Sequence, residues 1–411
     1  SNAVAQLNLS VQECREMALA TSQDIGIAEL EYEQAVLDRK IARTGYLPNL
    51  SGSGTFAHLT EKMEMSMMGM PMEMNMQAVY MAGLNIQQPI FAGGKIIAGN
   101  RMATTAVEIR DENRRLVRAN TIADAVQAYW TYVSVMDKVE LLEQYARHLE
   151  TIFNSVETSV AVQMATDNDL LKVSARKSNI EYQLQKARNG LELSRMALCK
   201  VIGVPLDTAI IPTDKEISAG SPHDPGGFDL TLRPEYSMLS KQIAIHDNNI
   251  RSVRADFLPT LGVSVGYTYF GGLKFAGSEI KMSTPMVMAS LSIPIFHFGE
   301  GYKKVKQAKL ARQVSYLELE KTSILLEIDQ NSSERNLRDA EMLVRTSENA
   351  LRQTEADLAT TQSRYELQMA TLLDLLDAQT QWQEAYSNHI EAKANYKITE
   401  VGYLKASGQL E

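Results

Sequence analysis

The 411-residue sequence predicts a mainly α fold in tandem duplicate: long antiparallel coiled-coil helices with four β-strands set between them. Three observations carry this. Blocks of sequence return at a fixed spacing, two very long proline-free stretches keep a helical period, and the segment before each switches to a period of two. The clearest block is Gln163-Met164-Ala165-Thr166 followed by Asp169-Leu170-Leu171. It returns 205 residues on as Gln368-Met369-Ala370-Thr371 followed by Asp374-Leu375-Leu376. Pro89-Ile90-Phe91 with Gly94 returns as Pro294-Ile295-Phe296 with Gly299, again 205 residues on. Leu47-Pro48 with Leu50 returns as Leu258-Pro259 with Leu261, and unequal loops account for the different offset.

The expected organisation follows from these pairs. Residues 1–3, Ser-Asn-Ala, read as a scar from removal of an expression tag, and any signal peptide or lipidated N-terminus is expected to have been cut away. Residues 10–206 form the first repeat, 207–227 a linker rich in proline and glycine, and 228–411 the second repeat. Residues 10–45 read as one helix, with Ser10 and Glu13 spaced as a capping box and Pro48 stopping it. A hairpin is expected over about 50–88, with a glycine- and serine-rich strand at 50–62. Its partner is a long strand from Met72 to Ile86, whose even positions are apolar. A second hairpin is expected over about 260–293. Helical patterns then run over 95–162 and 300–367; at 1.5 Å per residue each exceeds an ordinary globular domain and needs long helical partners. Return helices end at Gly203 and Gly408, where glycine suits the position just past a helix.

Composition narrows the function. A net charge of −9 argues against nucleic acid as a partner. No apolar run reaches the length of a transmembrane helix, which leaves a membrane β-barrel portion open. Cys14 and Cys199 read as small buried apolar residues. The six histidines show no metal-ligand spacing, and neither a phosphate-cradling glycine loop nor a nucleophile elbow occurs, so neither enzyme chemistry nor a cofactor is expected. Four strands with an apolar face are too few to close a membrane barrel, and open edges cannot face lipid, so several copies must pool their strands.

The duplicated Leu-Pro-x-Leu and Pro-Ile-Phe-x-x-Gly motifs, with Thr371-Leu372-Leu373-Asp374-Leu375-Leu376-Asp377-Ala378-Gln379, resemble the TolC family of outer-membrane efflux channels over essentially all of 10–411. The resemblance implies a homotrimer with a twelve-stranded β-barrel on an α-helical barrel, in the outer membrane of a Gram-negative bacterium and extending into the periplasm. It implies a passive conduit, opened when an inner-membrane pump and a periplasmic adaptor protein engage it. It places Asp374 and Asp377 at the periplasmic constriction, where carboxylate rings favour cations. It suggests Asp169 and Tyr365 as closed-state latch residues. The adaptor-contact tips are then Gln163, Met164, Ala165 and Thr166 with Gln368, Met369, Ala370 and Thr371. Relatives usually have glycine where this chain has Gln163 and Gln368, a departure at the turns where the resemblance places adaptor docking. Met63, Met65, Met67, Met68 and Met70 leave two readings open: packing in a barrel and its loop, or soft thioether ligands for Cu(I) or Ag(I) in a metal-exporting channel. A non-membrane coiled-coil scaffold is the alternative from another class.

Overall fold

The computed structural model describes residues 6–58, 63–67, 70–75, 78–214, 229–275 and 278–410. In chain order the elements are β1 (Gln6–Leu9), α1 (Val11–Thr21), α2 (Gln23–Thr44), β2 (Asn49–His58), β3 (Met63–Met67), β4 (Met70–Asn75), β5 (Ala78–Ala92), α3 (Lys95–Ala161), α4 (Asp167–Ile202) and β6 (Ala209–Pro212). A short 3-10 turn (Leu230–Leu232) leads into α5 (Pro234–Ala255), followed by β7 (Thr260–Phe275), β8 (Ser278–Ser292), α6 (Glu300–Glu366) and α7 (Leu372–Ala406). The two longest helices, α3 and α6, have 67 residues each. The chain divides into two compact units. One comprises residues 1–30, 112–237 and 321–411; the other comprises 31–111 and 238–320. Each unit therefore draws on both halves of the sequence.

The first unit is helical apart from one small sheet. Its largest core gathers Leu9, Cys14, Ala18, Tyr129, Trp130, Tyr132, Leu198, Cys199 and Ile202. Both cysteines are free and buried, and burial pushes the Cys14 thiol up to about 12. The capping box at Ser10 forms as its spacing predicts: the Glu13 N–H donates to the Ser10 hydroxyl, and the Glu13 carboxylate accepts from the Ser10 N–H at 2.8 Å. Strand β6 pairs in parallel with β1, Gln6 opposite Ala209 through Leu9 opposite Pro212. The buried Tyr129 and Tyr132 hydroxyls donate to Leu9 and Ile210 carbonyls at 3.1 and 2.9 Å, locking this ladder onto α3. Part of the expected linker is therefore a strand, held by a partner some 200 residues earlier in the chain. Elsewhere in the unit, the buried Arg233 guanidinium reaches Glu235 at 2.9 Å, Asp329 at 3.1 Å and the Ala406 carbonyl at 2.6 Å. That last bond satisfies a carbonyl at the C-terminal end of α7, a group helix geometry leaves without a partner.

The second unit holds the main sheet, with β2, β5, β7 and β8 as consecutive antiparallel neighbours. Strands β5, β7 and β8 are 15, 16 and 15 residues long, beyond the roughly 9–11 that cross a bilayer when tilted. Every residue of β2 and β8 is exposed on both faces. Strand β2 pairs with β5 from Asn49 opposite Gln87 to His58 opposite Ala78, β3 pairs with β4 beyond them from Met63 opposite Met74 to Met67 opposite Met70, and β4 and β5 both pair with β7. One expectation needs correcting here. Residues 10–45 are two helices, because Ser22 adopts extended geometry and its side chain accepts from the Ile25 N–H.

Gly203 tests the first unit's packing. It sits at a left-handed φ of 72°, and a Cβ there would lie 2.5 Å from the Thr21 Cβ. Gly203→Ala should destabilise the protein by about 2 kcal/mol or more, through backbone strain and overlap, seen as a lowered melting temperature. An unchanged melting temperature would mean that α1 and the end of α4 do not pack as described.

Candidate functional site

The residues singled out by the duplication meet at two helical turns of the first unit, one between α3 and α4 and one between α6 and α7. Both turns are built alike. In the first, Gln163 donates to the Val160 carbonyl at 2.9 Å and Met164 to Ser159 at 2.8 Å; in the second, Gln368 donates to Tyr365 at 2.9 Å and Met369 to Arg364 at 2.7 Å. These are Schellman closures with glutamine at the left-handed position, φ 61° and 58°. Glycine takes this conformation without steric penalty, and it fills the equivalent place at Gly203 and Gly408 (φ 72° and 73°). At both tips Val162, Met164, Leu367 and Met369 stand exposed.

The helices that follow begin with matching capping boxes. Thr166 and Thr371 are the N-caps, and Asp169 and Asp374 occupy the third helical position. The Asp374 carboxylate accepts the Thr371 N–H at 2.8 Å and its hydroxyl at 2.7 Å. Asp169 accepts the Thr166 hydroxyl at 2.7 Å and its N–H at 3.3 Å. Hydrogen bonds from the threonines hold both carboxyls below the usual carboxylate range. Since the folded value is lowered, this stabilisation is complete above the ordinary range and is lost only as pH falls through the lowered value. Both aspartates thus begin as structural groups.

Asp374 and Asp377 stay exposed on one face of α7, while Leu372, Leu375, Leu376, Ala378 and Gln379 between and around them are buried. Leu372 and Leu376 pack into a cluster with Tyr145, Leu149, Val156, Val173 and Ile180, and Tyr365 lies half-buried against it. Burial raises the Tyr365 hydroxyl, and the nearby charge of Asp169 adds to that rise. The structure therefore brings Tyr365 and Asp169 into electrostatic reach without a hydrogen bond between them among the described residues.

One residue escaped the sequence reading. The duplication sets Lys172 in the place of Asp377, and Lys172 lies 3.5 Å from the Asp169 carboxylate. The start of α4 thus carries two acids, Asp167 and Asp169, with one base beside them, whereas the start of α7 carries the two acids Asp374 and Asp377. Laying the repeats over one another would have revealed it. Among the methionines, Met68 lies outside the described residues, as do the side chains of Met63, Met65, Met67 and Met70.

Comparison with known proteins gives this geometry a setting. The family model described as Outer membrane efflux protein matches residues 14–204 and 232–409. The chain is 24% identical over 403 residues to the pyoverdine export outer membrane protein OpmQ of Pseudomonas aeruginosa, covering 95% of this chain and 83% of that one. The CmeC outer membrane channel of Campylobacter jejuni shares the fold with a TM-score of 0.82 at 19% identity, over 98% of this chain and 86% of that one. The open state of the MtrE outer membrane channel of Neisseria gonorrhoeae gives 0.79 at 20% identity, over 98% and 89%.

The left-handed glutamines yield a direct test. Gln163→Gly and Gln368→Gly should each stabilise the folded chain by about 1 kcal/mol, because the left-handed penalty of a side chain is removed. A lowered melting temperature would show that the glutamine side chains make contacts outweighing that penalty.

Proposed function

The chain belongs to the outer membrane efflux protein family, and from that premise we propose that three copies join their sheets into one barrel of twelve long strands above a tube of helices. The observation that carries this is the pair of open edges on β2 and β8, flanking a sheet whose strands are long enough to cross a bilayer. Unpaired backbone groups cannot face hydrocarbon, and four long strands fall short of the roughly eight of the smallest membrane barrels. Joining each β2 edge to the β8 edge of a neighbouring copy removes both problems at once. The family membership leaves no place for the alternative of a scaffold off the membrane.

The protein is an outer membrane efflux channel, a passive duct with no energy source of its own. Its opening is assigned to an inner-membrane pump and a periplasmic adaptor, which engage the tips at Gln163–Thr166 and Gln368–Thr371. The exposed apolar residues beside those turns suit such docking. Three copies of Asp374 and Asp377 supply six carboxylates to the narrowest point of the tube. Lys172 offsets one of the two acids in the matching turn of α4 and so lessens what that turn adds to the charge. Tyr365 and Asp169 act as the latch of the closed state, through a charge and a half-buried hydroxyl. The cargo follows from the pump.

Asparagine is the informative replacement at Asp374, since its carbonyl still accepts from Thr371 while the charge is gone. In planar bilayers, Asp374→Asn with Asp377→Asn should reduce cation selectivity and weaken block by trivalent cations by about an order of magnitude. Unchanged selectivity would remove these residues from the constriction. Tyr365→Phe with Asp169→Asn should raise the resting conductance several-fold over wild type, and a double variant that stays shut would dismiss the latch. Extraction of the wild-type protein into buffer without detergent would contradict the membrane reading as a whole.

A further inference from the structure

The second unit carries a surface that the channel reading leaves without a task. It holds 17 lysines and arginines against 14 aspartates and glutamates, while the rest of the chain holds 24 against 36. An acidic protein has gathered its excess of cations in the unit that contains the membrane strands. The excess is local. Lys303, Lys306 and Lys309 fall in the first three turns of α6, directly after β8, and have no ion pair among the described residues. Lys40, Arg43 and Arg254 stand at the strand-proximal ends of α2 and α5.

Aromatic residues adjoin these lysines. The motif shared by the two halves behaves differently in each. Pro89–Ala92 belongs to β5 and pairs with β7, whereas 293–299 pairs with no strand. Ile295 is 91% exposed, Phe296 71% and Phe298 85%. Phe296 and Phe298 lie edge to face, 4.8 Å between centroids, with Phe298 at a φ of 48°, where an aromatic residue is strained. Tyr302, Lys306 and Lys309 follow on one face of α6, spaced by four and three residues. Behind them, α5 and α6 enclose a cavity of about 610 Å³ lined by Arg251, Arg254, Lys309, Arg312 and Tyr316. Its one acid, Asp247, is taken up by Arg312 at 2.7 Å.

We infer that Ile295–Lys309 is a membrane-interface anchor that holds anionic phospholipid headgroups of the leaflet facing the periplasm. The inference rests on the reading of β2, β5, β7 and β8 as membrane strands. Aromatic rings favour the boundary between acyl chains and headgroups, and lysines just beyond it attract lipid phosphate. The rise from Lys303 to Lys309, about 9 Å, is comparable to the thickness of one headgroup layer. A neighbouring copy joined through its β2 edge sets a different face beside α6, and the lysine variants below separate that contact from lipid. Free phosphate fits the cations but gives the exposed aromatic pair no role.

The test is a lipid titration of the detergent-solubilised assembly, with bound lipid counted by native mass spectrometry. Phosphatidylglycerol should bind more tightly than phosphatidylcholine, and added salt should erode that preference. Each of Lys303→Gln, Lys306→Gln and Lys309→Gln should weaken phosphatidylglycerol about fivefold at low ionic strength. Phe296→Ser with Phe298→Ser should weaken both lipids. Equal binding of the two lipids by wild type overturns the inference without needing any variant to fold. Displacement of phosphatidylglycerol by equimolar inorganic phosphate overturns it in favour of a free-anion site. Dissociation of the assembly in the lysine variants overturns it in favour of a subunit contact. A chain that stays soluble without detergent and binds neither lipid would instead show that the membrane-strand reading had failed.

Discussion

Every part of this fold answers to one constraint: a backbone N–H or C=O cannot be left without a partner in hydrocarbon. The sheet of β2, β5, β7 and β8 satisfies its interior and leaves two edges open, each strand of 10 residues or more. Natural proteins shorten, charge or cover an exposed edge of that length. Here neither edge is short or covered among the described residues. The proposed joining of copies therefore rests on the backbone, before any side chain is considered. The long helices follow, because they continue from the same strands and must find helical partners over their whole length.

At the helical tips, the proposed function falls on atoms that already serve the structure. Thr371 and Asp374 close a capping box that starts α7, and Asp374 is also one of two acids on its exposed face. A carboxylate held below the usual range by its own N-cap stays charged in any environment the periplasm offers. The same bonds fix its position, so the cap that begins the helix also holds the charge in place. The other half uses the identical box at Thr166 and Asp169 and then places Lys172 beside it. A duplicated sequence has thus produced one tip with the acids Asp374 and Asp377 and another where Lys172 offsets one of the two acids, Asp167 and Asp169.

Much of this was legible in the sequence, and what was missed has physical reasons. The boundaries of α3 and α6 lie within one residue of the helical patterns, because proline-free stretches of that length admit no other reading. The capping box at Ser10 and the glycine closures at Gly203 and Gly408 also stood in the sequence, since each needs particular residues at fixed spacing. Strands β1 and β6 did not: four residues each, joined across 200 positions, give too short an alternation to detect. The break at Ser22 leaves the helical period intact on both sides. At the site, Asp374 and Asp377 were visible through their motif. The capping role of Asp374 and the presence of Lys172 emerged only from hydrogen bonds and from comparing the two tips.

The most direct test of the account is whether the β2 edge of one copy meets the β8 edge of the next. Cysteine at Ser53 in β2 can be combined with cysteine at Thr284 and then at neighbouring positions along β8, since Cys14 and Cys199 are buried. Oxidation in the membrane should give covalent species of two and three chains and nothing larger, with yield rising and falling along β8 as the register comes into line. A product confined to single chains at every position, or a ladder running past three, would contradict a barrel closed by three copies.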